Sequence, residues 1–334
     1  IACMTGVLTA GHVAVPLDPD STAADAAAII NDSDSTVLFY GEEFADRLDA
    51  VKALCPALRC EMLVNPESFE KIYEEYSEAS EYASLSDKNM DPDACCLIIY
   101  TSGTTGDKKG VMLSSQSLVS NLIFEPYDPI VIRVDTILSV LPLHHIFCFI
   151  CGYIGPLNVG NCVCLNGEMK DLFKNFQIFK PTGLVLVPLF VYTMHKKIWA
   201  EAKKSGRDGK LKLGIGASRA MMAVGIDKRK ELFADVVNAF GGRLEKIICG
   251  GAALNPKMID FFETIGISIY EGFGIPLLEA LNSRVPVVAA TGSCLEEAGG
   301  PGSKYTAPYD VEAIAAAVKE CFVPEVRNKM VERA

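Results

Sequence analysis

The sequence lacks the features of three large classes of protein. No apolar run approaches the roughly 20 residues of a membrane-spanning helix, and the richest one, residues 146–157, is interrupted by glycine and proline. The first residues show neither the basic leader nor the cleavage site of a secretory signal peptide. A net charge of −11 has the wrong sign for a general nucleic-acid-binding protein. These absences predict a cytoplasmic protein with no transmembrane segment and no nucleic-acid partner.

Apolar side chains, by contrast, are abundant. Half of the 334 residues are hydrophobic, which is enough for a sizeable core in two or three domains. The chain begins with Ile1 and not with methionine, and residues 1–10 already have the pattern of the end of an apolar helix. We therefore expect a chain that is truncated at its N-terminus.

Cysteine is abundant as well. Twelve cysteines in so long and core-rich a chain indicate a reducing compartment and not a disulfide scaffold. Cys148 and Cys151 form a CxxC pattern, which is compatible with a zinc or redox site. Their neighbours Phe147, Phe149 and Ile150 favour a packed helix instead, in which cysteine acts as a small core residue.

Positive charge is concentrated in one segment of this acidic chain. Residues 196–230 carry eleven Lys or Arg and three acidic residues, whereas residues 67–93 carry nine acidic residues and two lysines. The acidic run reads as a solvated helix and loop. The basic run could face a phosphate-bearing substrate or make peripheral contact with a membrane, but its composition favours a solvated surface.

Short apolar runs alternate with helical patterns along most of the chain. The predicted strands are 13–17, 36–40, 61–64, the run ending at 100, 136–141, 162–165, 183–187, 245–249, 267–270 and 285–290. The predicted helices are 21–30, 43–54, 115–124, 146–157, 170–179, 190–204, 227–240 and those that begin at Pro256 and Asp310. This alternation predicts an α/β fold with mostly parallel sheets flanked by helices.

The stretch from Tyr100 to Val111 is rich in glycine, hydroxyl groups and lysine. Glycine lets several backbone N–H groups point in one direction, the hydroxyls add donors, and Lys108 and Lys109 add positive charge. No Gly-Lys-Ser/Thr follows a glycine at the spacing of the better-known phosphate loop. A flexible polar turn is the alternative, but the full string favours a phosphate-binding loop.

Two further stretches follow predicted strands. His144 and His145 come after strand 136–141, and Gly250-Gly251-Ala252 comes after strand 245–249. Ligands of α/β folds bind at the carboxyl ends of the strands. We therefore expect both stretches to converge with the loop after Tyr100 on one nucleotide. For the two histidines, a hydrogen-bonded pair with no ligand is the alternative.

These motifs together resemble the adenylate-forming superfamily, and in particular the long-chain fatty acyl-CoA synthetases. The resemblance covers residues 1 to about 274. Four strings occur in the order of the family, namely Val15-Pro16-Leu17-Asp18-Pro19, Tyr100–Gly110, Leu141-Pro142-Leu143-His144-His145-Ile146-Phe147 and Gly250-Gly251-Ala252-Ala253-Leu254. The family often has proline where this chain has Lys108, whereas Lys109 and Gly110 match.

The resemblance implies an activity and a set of site residues. Such enzymes join a carboxylate, here a fatty acid, to ATP as an acyl-adenylate and then transfer the acyl group to coenzyme A, with Mg²⁺ as cofactor. The implied phosphate-binding residues are Thr101, Ser102, Gly103, Thr104, Thr105, Gly106 and Lys109. The implied adenine-binding residues are Gly250, Gly251, Ala252, Phe273 and Gly274. His145, the one implied catalytic residue, would orient the carboxylate or border the acyl channel.

The resemblance breaks after Gly274. The family continues with an apolar residue, then Thr and a Glu that helps to hold Mg²⁺, but this chain has Ile275, Pro276 and Leu277. The later ribose-binding Asp, the Arg after it and the C-terminal domain with its adenylation lysine are also missing. We therefore expect a ligase crippled by these losses, or a non-catalytic product that only binds nucleotide.

Residues from about 268 onward instead resemble the C-terminal part of a retaining glycosyltransferase with two Rossmann-like domains. Glu271 and Glu279 are separated by seven residues, as are the two glutamates that contact the donor sugar and the ribose in that family. We predict a partial AMP-binding domain over 1–274, followed over 275–334 by an appended Rossmann-like βα segment. A junction within a string that both families nearly share suggests a chimera, arising from a fusion or an assembly artefact. A nucleotide-sugar glycosyltransferase fragment is the alternative function.

Overall fold

A computed structural model gives the structure of most of the chain. The described residues are 1–76, 91–102, 108–122, 135–252, 254–271, 285–291, 299–307 and 310–333. They divide into two compact units, of which the first comprises Ile1–Ser120 with Leu143–Ile146, and the second Asn121–Pro142 with Phe147–Ala334. The predicted α/β class with a parallel sheet is confirmed. The predicted domain boundary at 274 stays a prediction.

The first unit combines two small sheets with short helices. Its helices are α1 (Ala2–Thr9), α2 (Ala23–Asp32), α3 (Leu48–Leu54), α4 (Pro66–Tyr76) and α5 (Ser115–Leu122), with a 3₁₀ segment at Glu42–Arg47. Its strands are β1 (Val37–Tyr40), β2 (Cys60–Leu63), β3 (Cys95–Ser102) and β4 (Lys108–Ser114). Strands β1 and β2 are parallel, and β3 and β4 form an antiparallel hairpin. Helix α2 begins with a capping residue, since the Thr22 hydroxyl accepts from the backbone N–H of Asp25.

The predicted strand 13–17 is wrong. The structure has only an isolated parallel bridge between Ala14 and Leu97. The backbone N–H of Ala14 donates to the Cys96 carbonyl at 2.8 Å, and that of Ile98 donates to the Ala14 carbonyl at 2.9 Å. The ladder stops there because Pro16 has no N–H to donate.

The second unit is built on a five-stranded parallel sheet. Its strands are β5 (Thr136–Ser139), β6 (Cys162–Leu165), β7 (Gly183–Leu186), β8 (Lys246–Cys249) and β9 (Ser268–Glu271). Their order across the sheet is β6-β5-β7-β8-β9. The helices are α6 (Ile146–Phe149), α7 (Gly155–Asn158), α8 (Leu172–Phe179), α9 (Pro188–Lys204), α10 (Asp208–Ala223), α11 (Arg229–Leu232), α12 (Ala234–Ala239) and α13 (Pro256–Thr264). A π-helical turn at Ile150–Ile154 joins α6 to α7.

Two features of this unit differ from the sequence-based expectation. Helix α10 was not expected, because its several glycines hide the helical pattern. The single helix predicted over 227–240 is two short helices, with Phe233 between them at φ −116° and ψ 23°. Phe233 is fully buried against the core, so the break places a large side chain inside at the expense of helical continuity.

A charged pair is buried where three central strands begin. The ammonium of Lys246 contacts the carboxylate of Asp135, and each side chain is only 8% exposed. The Thr182 hydroxyl donates to the same carboxylate at 2.8 Å. Because Asp135 precedes β5, Thr182 precedes β7 and Lys246 begins β8, this network ties together the amino ends of neighbouring strands.

The end of the chain forms a small βα segment. Strands β10 (Val288–Ala290) and β11 (Lys304–Thr306) pair in parallel as a sheet of their own. Helix α14 (Val311–Glu320) is capped by Asp310 as predicted, and α15 (Pro324–Arg333) follows it. In the described part of the chain, we find no helix that combines the length and the apolar character needed to cross a bilayer.

Candidate functional site

The predicted phosphate loop sits at the tip of the β3–β4 hairpin. Thr101 pairs with Lys109 and Ser102 with Lys108 across the two strands. The sequence-based view of a loop running to Val111 is therefore wrong, because both lysines already belong to a strand. The stretch has only five connecting residues, and the predicted phosphate-binding residues Gly103, Thr104, Thr105 and Gly106 lie among them, outside the described residues.

The hairpin also corrects the argument from strand ends. Strand β3 belongs to an antiparallel pair and not to the five-stranded sheet, so its loop does not follow the carboxyl end of a parallel strand there. Strand β4 was not predicted because Gly110 interrupts its pattern of alternating side chains. A Cβ added to Gly110 would lie 2.9 Å from Cγ2 of Ile98 and 3.0 Å from Cζ of Tyr100. Glycine is needed because these two side chains of β3 cross over it.

Two acidic residues of helix α2 anchor the hairpin. The Tyr100 hydroxyl donates to Oδ2 of Asp32 at 2.5 Å, and the ammonium of Lys108 lies 3.2 Å from Oδ1 of Asp25. Burial, followed by the hydrogen bond to Asp32, raises the pKa of Tyr100 to about 12, so this donor is retained at neutral pH. The pKa of Asp25 is lowered by the Thr22 hydroxyl and then by Lys108.

This anchoring separates the roles of the two neighbouring lysines. Lys108 is held by Asp25, whereas Lys109 is exposed beside the loop and is in no ion pair among the described residues. Sequence reasoning missed the anchoring residues because Asp32 and Tyr100 are 68 positions apart, and no local pattern connects them. Lys109 is therefore the described cation available to a ligand at this hairpin.

The histidine pair lies after β5, as expected. The ring centroids of His144 and His145 are 4.3 Å apart. Burial, followed by the charge of His145, lowers the pKa of His144, against the opposing effect of Asp18 and Asp20. His144 is thus neutral at pH 7. The side chain of His145 is exposed. Asp18 belongs to the string 15–19, so the structure brings two of the predicted motifs near each other.

The Gly250 turn follows the carboxyl end of β8, a parallel strand, as predicted. The backbone N–H of Gly250 donates to the Leu186 carbonyl at 3.0 Å. A Cβ on Gly250 would lie 2.5 Å from two ring atoms of Phe147. Gly251 has φ +83°, the left-handed region that glycine adopts most readily. Glycine is therefore required at position 250 by the close contact with Phe147 and is favoured at position 251 by the positive φ. These two residues fix the path of the backbone into Ala252.

Two side chains support this turn, namely Glu271, which was predicted for a sugar-nucleotide site, and Tyr192, which was not predicted. Oε1 of Glu271 accepts from the backbone N–H of Leu254 at 3.0 Å, and the Tyr192 hydroxyl accepts from that of Asn255 at 3.3 Å. Glu271 reaches the turn because it is paired with Cys249 in the β8–β9 register. Among the other residues predicted for adenine or sugar binding, Phe273, Gly274 and Glu279 lie outside the described residues.

The CxxC cysteines belong to a packed helical segment, as predicted. Burial raises the pKa of Cys148 to about 11 and that of Cys151 to about 12. Both are therefore protonated at neutral pH, whereas a metal ligand or nucleophile is the thiolate. Within the described ranges, no group of three or more His, Cys, Asp or Glu is arranged to hold a metal ion.

The structure thus assembles the predicted residues within each unit. The hairpin on α2 and the histidines near Asp18 belong to the first unit, and the Gly250 turn with Phe147 and Glu271 belongs to the second. That the phosphate loop, His145 and the Gly250 turn meet on one nucleotide stays a prediction. A hairpin with an exposed lysine beside its connection is suited to an anionic ligand.

Known proteins match most of this chain. A sequence model described as AMP-binding enzyme matches residues 1–275. Fatty acyl-CoA synthetase A of Dictyostelium discoideum is 28% identical over 217 residues, covering 59% of this chain and 31% of the relative. Long-chain-fatty-acid–CoA ligase 5 of Rattus norvegicus is 28% identical over 311 residues, covering 82% of this chain and 43% of the relative. The chain therefore spans less than half the length of these curated relatives.

Solved structures share the fold. The inhibitor-bound N-terminal domain of FACL13 from Mycobacterium tuberculosis gives a TM-score of 0.59 at 18% identity, covering 84% of this chain and 63% of that one. The adenylation domain of a carboxylate reductase from Mycobacterium chelonae gives 0.59 at 22% identity, covering 79% and 43%. At such identities the likeness shows the fold alone, namely that of these two domains.

Proposed function

The chain belongs to the AMP-binding enzyme family, and from that premise we propose that it binds ATP and is built to activate a carboxylate as an acyl-adenylate. The names of its relatives support a long-chain fatty acid as the carboxylate and coenzyme A as the acceptor. The observation that carries the proposal is the hairpin anchored on α2, which presents Lys109 beside the glycine- and threonine-rich connection.

In this proposal the residues mainly position substrates and neutralise charge. The carboxylate attacks the α-phosphorus of ATP and pyrophosphate leaves, so stabilisation of phosphate charge is the main task of the protein. Thr101, Ser102 and Lys109 supply donors and a cation on the phosphate side. Gly250, Gly251 and Ala252 offer backbone groups to the adenine, and His145 orients the carboxylate or borders the acyl channel.

Magnesium is the cofactor expected for this chemistry, but the described residues do not fit it. The ion prefers several oxygen ligands in octahedral geometry, and no cluster of three such side chains occurs in the described ranges. Glu271, an acid beside the Gly250 turn, already accepts from the backbone N–H of Leu254. No step of the proposed reaction is therefore derived through Mg²⁺.

We infer that catalysis is weak because Ile275, Pro276 and Leu277 replace the apolar-Thr-Glu string of the family. Loss of one group that stabilises charge in a transition state costs about 2.7–4 kcal/mol, or about 10²–10³ in rate. Pyrophosphate exchange with fatty acids of several chain lengths measures this step. Fast, carboxylate-dependent exchange would contradict the inference, and nucleotide binding without exchange would support it.

Lys109→Ala is expected to reduce the stabilisation of the protein by ATP. Loss of a charge-assisted hydrogen bond, about 1.5–3 kcal/mol, weakens ATP binding by about ten- to a hundredfold. The measurement is the rise in melting temperature with ATP, AMP and UDP, and the wild-type chain should respond more to ATP than to UDP.

Lys108→Ala is the matched control for this experiment. Because Lys108 is paired with Asp25, its loss should lower the melting temperature slightly without ligand and leave the shift caused by ATP nearly unchanged. Equal shifts with ATP and UDP, or equal effects of the two lysine variants on the ATP shift, would count against the adenylate site.

A second proposal concerns the end of the chain. We propose that residues 275–334 derive from a glycosyltransferase-like segment joined to the adenylation domain. The match to the AMP-binding family stops at residue 275, and β10, β11 and α14 have the parallel pairing and helix of a βα unit. Sequencing one DNA molecule across codons 260–285 tests the junction. If no single molecule carries both parts joined as in this sequence, the junction is an assembly artefact. One uninterrupted gene that contains both parts would show a genuine fusion.

We also propose a cytosolic location, for which the support is the chemistry of the cysteines. The eleven cysteines within the described ranges are all free thiols, as is usual in a reducing compartment. Cell fractionation tests this proposal, and recovery in peroxisomes or with membranes would contradict it.

A further inference from the structure

A pocket lies among the helices of the second unit, apart from the candidate site residues described above. Its volume is about 460 Å³, within the range of about 300–1,000 Å³ that is usual for small-molecule sites. The lining comes from α8, α9, α10 and the α11–α12 pair. All of these residues lie between positions 173 and 240, so none belongs to the hairpin, the histidine pair or the Gly250 turn.

The floor of the pocket is apolar. Ile198 and Leu211 line it together with the aromatic rings of Phe233 and Phe240, and all four side chains are buried in the core. Leu232, at the rim, remains 40% exposed. Burial of an alkyl chain here would remove apolar surface of both partners from water, which favours binding.

The rim of the pocket carries three cations and two acids. Arg207 and Asp235 are paired at 2.7 Å, so they contribute little net charge. Lys197 lies over the ring of Phe173, with Nζ 2.9 Å from the centroid. Lys210 lines the pocket and is in no ion pair within the described ranges. Its ammonium is therefore available to a ligand.

The remaining acid at the rim, Glu201, offsets one of these cations and leaves the rim with an excess of one positive charge. Two observations, together with the helix dipole, support a negative head group near Lys210. Lys210 lies in the first turn of α10, a helix of sixteen residues whose N-terminus no side chain caps, and Asp208 places one acid in the same turn. The positive end of a helix dipole favours anions. The surrounding segment 196–230 is basic in a chain whose net charge is −11.

We propose that this pocket binds an amphipathic monoanion, namely an alkyl carboxylate whose tail lies on the apolar floor and whose head group pairs with Lys210. The site is separate from the proposed adenylation site and does not need it to be active. A fatty acid bound here would act as a ligand and not as the carboxylate that is activated.

Calorimetric titration without ATP tests the proposal, with monomeric dodecanoate as the probe. Dodecanoate should bind more tightly than dodecanol, which has no charge, and than dodecylammonium, which has the opposite charge. Lys210→Glu should weaken dodecanoate binding by about tenfold, because a charge-assisted contact becomes repulsive. Lys212→Glu is the matched control, since Lys212 is on the same helix and exposed but does not line the pocket.

A second variant blocks the tail instead of the head. Ala239 is an exposed residue of the lining, so Ala239→Trp fills the pocket from its rim without disturbing the core. This variant should weaken binding of all three probes.

Equal affinity for dodecanoate and dodecanol would overturn the assignment of the head group. Unchanged dodecanoate binding in both Lys210→Glu and Ala239→Trp would place the ligand elsewhere and overturn the site. Binding only to anionic vesicles, with none to monomeric dodecanoate, would replace the pocket by a membrane-docking face.

Discussion

Replacing Lys246 by methionine is expected to lower the free energy of unfolding by about 3–5 kcal/mol, because it leaves the carboxylate of Asp135 buried without its ammonium partner. The two side chains are each 8% exposed, so water cannot replace the lost partner. The Thr182 hydroxyl still donates to Asp135, but a neutral donor does not compensate for a lost charge. Urea denaturation at pH 7 measures the effect.

Two further variants define the origin of this loss. Lys230→Met is the matched control, since Lys230 pairs with Glu245 at 2.8 Å on the surface, with side chains 82% and 54% exposed. Its cost should be below about 1 kcal/mol. The double variant Lys246→Met with Asp135→Leu should recover most of the lost stability, because it buries no charge. A double variant as unstable as the sum of the single ones would show that the two charges are not coupled.

This pair also marks the limit of what the sequence predicts. The strands that begin beside it were predictable, because each is a short apolar run ended by a polar, proline or glycine residue. Their order in the sheet was not predictable. Asp135 and Lys246 are 111 positions apart. They meet because β5 and β8 lie on either side of the same strand, β7, in the sheet. Local patterns carry no information about which strands become neighbours.

The candidate site also has one part that the sequence predicts and another part that it does not. The Gly250 turn was predictable, since glycines after a buried strand indicate backbone in a conformation that other residues avoid. The second strand of the hairpin was not, because Gly110 and the polar residues before it resemble a loop. The anchoring of Tyr100 by Asp32 depends on the packing of α2 against the hairpin, which no local motif specifies.

Gly241→Ala is the second substitution with a large expected effect, a loss of about 2–5 kcal/mol in the free energy of unfolding. Gly241 lies between α12 and β8 with φ +89°. An added Cβ would lie 2.3 Å from the carbonyl oxygen of Phe176 and 2.9 Å from Cα of Lys180. These are backbone atoms, so no side-chain rotation relieves the overlap.

The same substitution at Gly206 separates the two causes of this loss. Gly206 has φ +65°, but no atom lies within 4 Å of its added Cβ. Gly206→Ala should therefore cost only the left-handed conformation, about 1–2 kcal/mol. The difference between the two variants in urea denaturation measures the overlap at Gly241. Because that overlap pushes against the end of α8, it should also loosen the edge-to-face contact of Phe176 with Phe240, now 5.5 Å between centroids, and weaken the near-ultraviolet circular dichroism of the core. Equal losses at the two glycines would show that α8 yields easily and that the packing around Phe240 is less rigid than these distances imply.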